Sequence, residues 1–169
     1  MALLNREPMK APESRVRFRL DEVDAQLLRL LQNDGRITNA ELARRVGLSP
    51  PSVLQRVRKL EESGLIKGYV AILDQEKIGF KLQVMAMVSL ALHQEQPIER
   101  FRQEVGEIQE VLECLHVSGD FDFLLKVVVP DMASYEKLVR EKLSSINGVG
   151  KIHSCFVLAV NKQTSSLPI

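Results

Sequence analysis

"GLSPPSVLQRVRKLEESGLIKGY", residues 47–69, decides how this chain is built. Pro50 and Pro51 cannot sit inside a helix, because the ring removes an N–H and clashes with the preceding turn. They are harmless in a first turn, whose N–H groups have no intrahelical partner anyway. With Ser49 ahead of them as N-cap, the two prolines therefore start a helix. Val53, Val57 and Leu60 recur at i, i+4 and i+7 and form its buried stripe, which leaves Ser52, Gln55, Arg56, Arg58 and Lys59 pointing sideways or away. A helix with a basic outer face is most often only a solvated surface, so its neighbours have to decide what it is for.

Upstream, "LDEVDAQLLRLLQNDG" (20–35) places Val23, Leu27 and Leu31, with Leu30, on one helical face, has acidic residues in its first turn and ends at Gly35. "TNAELARRVG" (38–47) is a second, short helix in which Thr38 and Glu41 have the spacing of a capping box. A turn at Gly47 joins it to the proline-led helix. Two helices so joined form a helix-turn-helix, whose second helix lies in the major groove of double-stranded DNA with its N-terminal residues on base edges. Ser49, Pro51, Ser52, Gln55, Arg56, Arg58 and Lys59 are the candidate DNA contacts. "GLIKGYVAIL" (64–73) then reads as two short strands about Gly68, a wing.

From residue 82 the period changes from helical to alternating. "LQVMAMVSLAL" (82–92) sets Leu82, Val84, Ala86, Val88 and Leu90 against Gln83, Met85, Met87, Ser89 and Ala91, with no charge on either side. Such a strand is covered on both faces. "PIERFRQEVGEI" (97–108) follows as a helix with Ile98, Phe101 and Val105 at helical spacing. "VLECLHVS" (111–118) and "FDFLLKVVV" (121–129) are strands, "DMASYEKLVREKLSSI" (131–146) is a helix capped by Asp131, and "VGKIHSCFVLAV" (149–160) is a last strand. The order is βαββαβ, the ferredoxin-like arrangement of one sheet with two helices on one face. The other sheet face, with Met85 and Met87, needs a second cover. A partner subunit supplies one, and a two-fold dimer would present two recognition helices to half-sites about 34 Å apart; the alternative is that the winged unit of the same chain covers the sheet.

The fold class is thus α+β, an N-terminal winged helix-turn-helix followed by a ferredoxin-like βαββαβ domain. The boundaries expected are an N-terminal arm over 1–19, the winged unit over 20–73, a hinge over 74–81, the sheet domain over 82–161 and a C-terminal tail over 162–169. Charge follows this division: residues 1–73 hold 13 Lys and Arg against 9 Asp and Glu, and the remainder 10 against 13. The basic half is the one with the helix-turn-helix, which fits nucleic acid on one side only. The longest nearly uncharged stretch, 82–92, is about half the ~20 residues a membrane span needs, and the N-terminus lacks the apolar core of a signal peptide, so a cytoplasmic protein without membrane contact is expected. Cys114 and Cys155 sit in strand-like runs as small core residues. His93, His116 and His153 lie far apart without metal-ligand spacing, and no phosphate loop or nucleophile elbow occurs, so no catalytic residue, metal or cofactor is expected.

"LDEVDAQLLRLLQNDGRITNAELARRVGLSPPSVLQRVRKLEESGLIKGYVAILD" (20–74) followed by "VLECLHVSGDFDFLLKVVVPDMASYEKL" (111–138) resembles the Lrp/AsnC family, the feast/famine transcription regulators, and within it the leucine-responsive branch. The resemblance covers residues 20 to about 161, and the joint occurrence of "NDGRITNAELA", "GLSPPSVLQRV" and "VSGDFD" makes it specific. It implies a DNA-binding unit joined to an effector-binding domain, dimers that assemble into tetramers, octamers or larger species, and an amino acid as effector, leucine first. The arm is longer than usual for the family and carries Arg15, Arg17 and Arg19; it is either a phosphate-touching extension or a plain tail.

Gly119 and Asp120 read as a two-residue link between strands, with a positive backbone angle at Gly119. Asp122 stands at the start of an otherwise apolar strand, where a carboxylate is costly to bury without a partner. The family's corresponding loop contacts the effector. The resemblance therefore implies that N–H groups near Gly119 and Asp120 receive the effector carboxylate, Asp122 its ammonium, and Met132, with Ser134, lines the side-chain pocket. The alternative is structural, with Asp122 paired to Lys126 four residues along the strand. An amino-acid sensor acting through protein contacts without DNA, or a small enzyme on the ferredoxin-like domain, are the other functions this sequence leaves open.

Overall fold

The helix starts are set by side chains that satisfy first-turn N–H groups. The computed structural model describes residues 19–91 and 95–169. In it Asp21 opens α1 (Glu22–Asn33) with a capping box: Asp21 Oδ1 accepts from Asp24 N at 2.8 Å, and the Asp24 carboxylate accepts from Asp21 N at 3.5 Å. Thr38 Oγ1 accepts from Glu41 N at 3.2 Å to start α2 (Asn39–Val46). Gly47, at φ 70° and ψ 30°, ends it in the left-handed conformation that lets the chain turn at once into the next cap. Ser49 then accepts from Ser52 N at 3.4 Å, and Pro50 and Pro51 fill the first turn of α3 (Pro50–Glu62). Val53, Val57 and Leu60 are buried with Leu27, Leu28, Leu42 and Ala43 in one core.

The wing departs from expectation. No strand forms over residues 65–73; apart from Ile66, which packs against the helical core, the segment is exposed, with Ile72 at 89%. Two strands of three or four residues with a single apolar face are too short to hold as a lone hairpin. Tyr69 is tied instead, its hydroxyl donating to Glu61 Oε1 at 3.0 Å.

The second unit begins after Ala71 and extends to Gln163. Its strands β1 (Leu82–Leu90), β2 (Val111–His116), β3 (Phe123–Val129) and β4 (Val149–Phe156) form one antiparallel sheet in the order β2-β3-β1-β4. The helices α4 (Glu95–Gly106) and α5 (Met132–Leu138) complete the βαββαβ order. Both pack on the same sheet face: Phe101, Val105, Tyr135 and Leu138 share a buried cluster with Val84, Ala86, Val88, Phe123, Leu125 and Val127. Phe101 and Phe123 lie 4.5 Å apart between ring centroids at its centre.

Three details differ from the sequence expectation. The helix expected over 131–146 is α-helical only through Leu138 and widens to a π turn over Val139–Leu143, with Ser144 N donating to Val139 O at 2.8 Å. Cys114 and Cys155 are exposed rather than core residues; β2 and β4 are the two edge strands, so neither has a neighbour on its outer side. The link between β2 and β3 is six residues, 117–122, not two, closed by Val117 N donating to Asp122 O at 3.0 Å. The arm residues 1–18, with Arg15 and Arg17, and His93 lie outside the described residues.

Candidate nucleic-acid interface and effector site

On α3 the buried valine stripe turns Ser52, Gln55, Arg58 and Lys59 outward, and all four are exposed, as are Ser49 and Pro51 at the helix start. The Ser49 and Ser52 hydroxyls lie 2.8 Å apart, so the cap and the first outward residue share one hydrogen bond.

Arg56 does not stand with the outward set. Its Nη1 lies 2.6 Å from Asp21 Oδ2 and 2.7 Å from Asp24 Oδ1, and its side chain is only 35% exposed. One full turn separates Arg56 from Ser52 and Leu60 along α3, which points it at the N-terminus of α1, where the helix dipole and capping box already gather two carboxylates. The pair raises the Arg56 pKa above its ordinary value, through hydrogen bonds to Asp21 and then Asp24. In return the Asp21 carboxyl is lowered, first by the Asp24 N–H and then by Arg56. Arg56 therefore bridges the recognition helix to α1. The sequence signal is the i, i+3 acidic pair Asp21 and Asp24 at the start of α1.

The short helix before the turn is also more engaged than its spacing implied. Glu41 binds Arg44 at 2.7 and 2.8 Å and Arg45 at 2.6 Å, which holds its carboxyl down at about 2, with the Arg44 bond as the larger cause. Arg44 and Arg45 remain exposed beside the turn, and neither was singled out from sequence.

In the sheet unit, the residues expected to bind an effector fall into two groups. Gly119 has φ 135°, a conformation that favours glycine. Asp120 O accepts from Ser89 Oγ at 3.4 Å, Asp122 N donates to Val88 O at 2.9 Å, and Asp122 Oδ2 accepts from Leu90 N at 2.7 Å. The loop is thereby fastened to the end of β1. Lys126, the alternative partner considered for Asp122, lies 3.4 Å from Glu113 across the β2–β3 pair.

Met132 and Ser134 belong to the other group. Asp131 caps α5 by accepting from Ser134 N at 2.8 Å, and Met132 beside it is exposed. Between Asp122 and Met132 runs the whole of β3, seven residues, or roughly 20 Å at ~3.3 Å per residue. One sheet therefore carries the two groups at opposite ends of a strand, and within one chain it does not bring them together.

The face of the sheet away from the helices carries Met85 and Met87 on β1. They are paired in register with Lys126 and Leu124 on β3 and with Cys155 and His153 on β4. Both methionines are only half-buried. Among the described residues no helix is long and apolar enough to cross a membrane, and no group of three or more His, Cys, Asp or Glu could hold a metal ion.

A capped recognition helix on a helix-turn-helix, joined in one chain to a ferredoxin-like sheet, defines a DNA-binding regulator with a separate ligand-binding unit. Family models match both parts: winged helix-turn-helix DNA-binding over residues 20–67, and Lrp/AsnC ligand binding domain over residues 83–167. The chain is 43% identical over 150 residues to the leucine-responsive regulatory proteins of Escherichia coli K12 and Klebsiella pneumoniae, covering 89% of this chain and 92% of theirs. A transcriptional regulator of Neisseria meningitidis in complex with L-methionine matches in structure with a TM-score of 0.85 at 38% identity, over 89% of this chain and 97% of that one. An AsnC family regulator from Agrobacterium tumefaciens matches at 0.83 and 38% identity, over 88% and 97%. The chain belongs to the Lrp/AsnC family of DNA-binding transcription regulators.

Proposed function

We propose that this protein regulates transcription by placing the outward face of α3 in a DNA major groove, and that a small amino acid, leucine first, changes its assembly or its DNA affinity. The observation that carries the reading is the division of α3 into a buried stripe, Val53, Val57 and Leu60, and an exposed face of Ser52, Gln55, Arg58 and Lys59. Gln55 reads bases, Arg58 and Lys59 meet phosphates, and Ser49 and Pro51 bring the helix N-terminus to the backbone. Arg56 holds the helix at the angle this requires.

The effector is taken between copies of the chain. Gly119, Asp120 and Asp122 of one copy receive its carboxylate and ammonium, and Met132 and Ser134 of another copy line its side-chain pocket. Their placement at opposite ends of β3 supports this division. The relatives named for leucine, and the Neisseria regulator crystallised with methionine, support an apolar amino acid. A dimer through the open sheet face covers Met85 and Met87, and further junctions build a tetramer, an octamer or a larger species. The protein acts in the cytoplasm, is not an enzyme and needs no cofactor.

Operator titrations over a range of salt concentrations test the DNA arm. Gln55→Ala is expected to lose about 1–3 kcal/mol of discrimination between bases, while Arg58→Ala and Lys59→Ala each reduce the salt slope by about 1. Unchanged discrimination in Gln55→Ala and unchanged slopes in both cation variants would remove α3 from the groove. For the effector arm, Asp122→Asn keeps an acceptor for Leu90 N while removing the charge. It is expected to bind operator normally and to lose the response to leucine and methionine; a retained response removes Asp122 from the site.

A further inference from the structure

The segment Thr164–Ile169 groups with the helical unit, and not with the sheet from which it emerges. Val157 is still tied to the sheet, its N donating to Gln83 O at 3.0 Å; from there the chain that leads to the segment, 158–163, has no helix or strand and is exposed, Leu158 at 98%. Beyond this unpacked connector the chain is nevertheless held. Leu167 N donates to Gln32 Oε1 at 2.6 Å, and Gln32 Nε2 donates to Leu167 O at 3.2 Å. Arg29, three residues earlier on the same face of α1, donates from Nε to the main-chain oxygen of Ile169 at 2.7 Å. The guanidinium is steadied from its other side by Glu22 Oε1 at 3.4 Å.

This is recognition of a backbone. One side-chain amide satisfies both the N–H and the carbonyl of a single residue, as a neighbouring strand would. The Leu167 side chain contributes little, being 70% exposed. The segment also arrives partly ordered: Ser166 N donates to Thr164 Oγ1 at 3.1 Å, Ile169 N donates to Leu167 O at 3.0 Å, and Pro168 fixes its own φ. Preordering lowers the entropy lost on seating. Exposed hydrogen bonds exchange readily with water, so the contact is specific in geometry and easily broken.

The chain leaves the helical unit after Ala71 and rejoins it at Thr164. The seated segment is thus a second attachment flanking all of 72–163, the residues that hold all but the last four of the ligand-binding domain match, 83–167. We propose that Thr164–Ile169 is a latch, that Gln32 and Arg29 on α1 are its receptor in the same chain, and that its seating carries part of the coupling between ligand binding and DNA binding. The seat stands on the geometry alone; its coupling role rests on the regulator reading above. A ligand that alters the end of the sheet unit changes how easily 158–163 reaches α1, and the seat then biases one state over the other by the difference in its own stability between them.

The test uses the full chain and two variants that damage opposite halves of the contact. Gln32→Ala removes the receptor amide, and Leu167→Pro removes the N–H that the amide accepts while leaving α1 untouched. Amide exchange is read at Ile169, whose N–H bonds only within the segment. Wild type is expected to be protected several-fold more than either variant. With L-leucine and L-methionine as probes, the factor by which ligand changes operator affinity is expected to fall from about 5-fold or more toward unity in both variants. Equal exchange in wild type and variants overturns the seat, and an unchanged coupling factor in both variants overturns its role. If wild type binds no duplex at all, the regulator reading fails and the coupling role falls with it, while the exchange comparison still decides the seat. Mixing copies spin-labelled near residue 169 with isotope-labelled copies locates the receptor: relaxation at α1 of the unlabelled-tail copy would overturn the same-chain assignment.

Discussion

Replacing Arg56 by alanine separates a brace from a base contact. In the structure the guanidinium makes two charge-assisted bonds to α1, at 2.6 Å to Asp21 and 2.7 Å to Asp24. The Asp21 carboxylate is on the surface, where screening leaves such a pair little weight. Asp24 is different, with a side chain only 12% exposed. Removing Arg56 strands that carboxylate in a poorly solvated position. Leaving a charged partner unsatisfied costs up to about 3 kcal/mol; discounted for the solvent that reaches Arg56, the expected loss is about 1–2 kcal/mol. For a unit of this size that is a downward shift of roughly 5–15 °C in its melting transition.

The two units need not melt together, so the assay is amide exchange across peptides from α1, α3 and β1 of the full chain. Arg56→Ala is expected to accelerate exchange in α1 and α3 and to leave β1 unchanged. Asp24→Asn should give part of the same effect, and the double variant should fall short of additivity, because both changes remove one interaction. Operator affinity is expected to drop by a similar factor on matched and mismatched sequences, since the helix loses its anchor and not a base-reading group. The reasoning is refuted if Arg56→Ala leaves α1 and α3 exchange unchanged yet relaxes discrimination at one base position.

Acid should weaken the helical unit. Glu41 titrates at about 2 in the folded chain against an ordinary 4.5, and Asp21 is also lowered; a depressed carboxyl stabilises the fold above its unfolded pKa, and that contribution disappears as pH falls from about 4.5 to about 2. Denaturation midpoints followed over this range should fall less steeply for Glu41→Gln than for wild type, and parallel curves would contradict the assignment. On the open sheet face, Met87→Asp is expected to reduce the oligomeric mass measured by light scattering without altering the far-ultraviolet circular dichroism of the chain. An unchanged mass would mean that this face is not where copies meet.

What was legible in the sequence was chemistry acting over a few residues. Pro50 and Pro51 fix a helix start by themselves, Val53, Val57 and Leu60 fix its buried side, and Gly47 allows the turn, so α3 needed no knowledge of the rest of the chain. The alternation from Leu82 to Leu90 and the five later elements gave the βαββαβ order for the same reason. Much of what the sequence did not show depends on partners distant in the chain. Arg56 lies on the flank of its helix, and only the folded unit shows that this flank meets Asp21 and Asp24, more than thirty residues earlier. The cysteines follow strand patterns that suit a core, but whether a strand is central or an edge is a property of the sheet order, which alternation does not encode. Gln32 and Leu167, separated by 135 residues, had no local signal at all.

The separation of the two effector groups limits how the proposed regulator can respond. A ligand gripped by Asp122 of one copy and Met132 of another binds tightly only where the copies are joined, so its affinity is itself a measure of assembly. Reciprocity follows: whatever ligand does to the junction, the junction does to ligand affinity. One junction with a coupling of about 5- to 150-fold moves a population substantially, but taking an assembly from nearly all of one form to nearly all of another requires about 10⁴-fold. Equivalent junctions acting on one assembly multiply their factors, so about two at the upper end of that range, or about six at the lower, reach that figure; a single one does not. On the proposed site each copy carries two half-sites, one at each end of β3, so the number of junctions rises with the number of copies. On this argument a sharp response belongs to the larger assemblies, and a dimer held only through the sheet face, with no junction of this kind, binds DNA without answering to the amino acid.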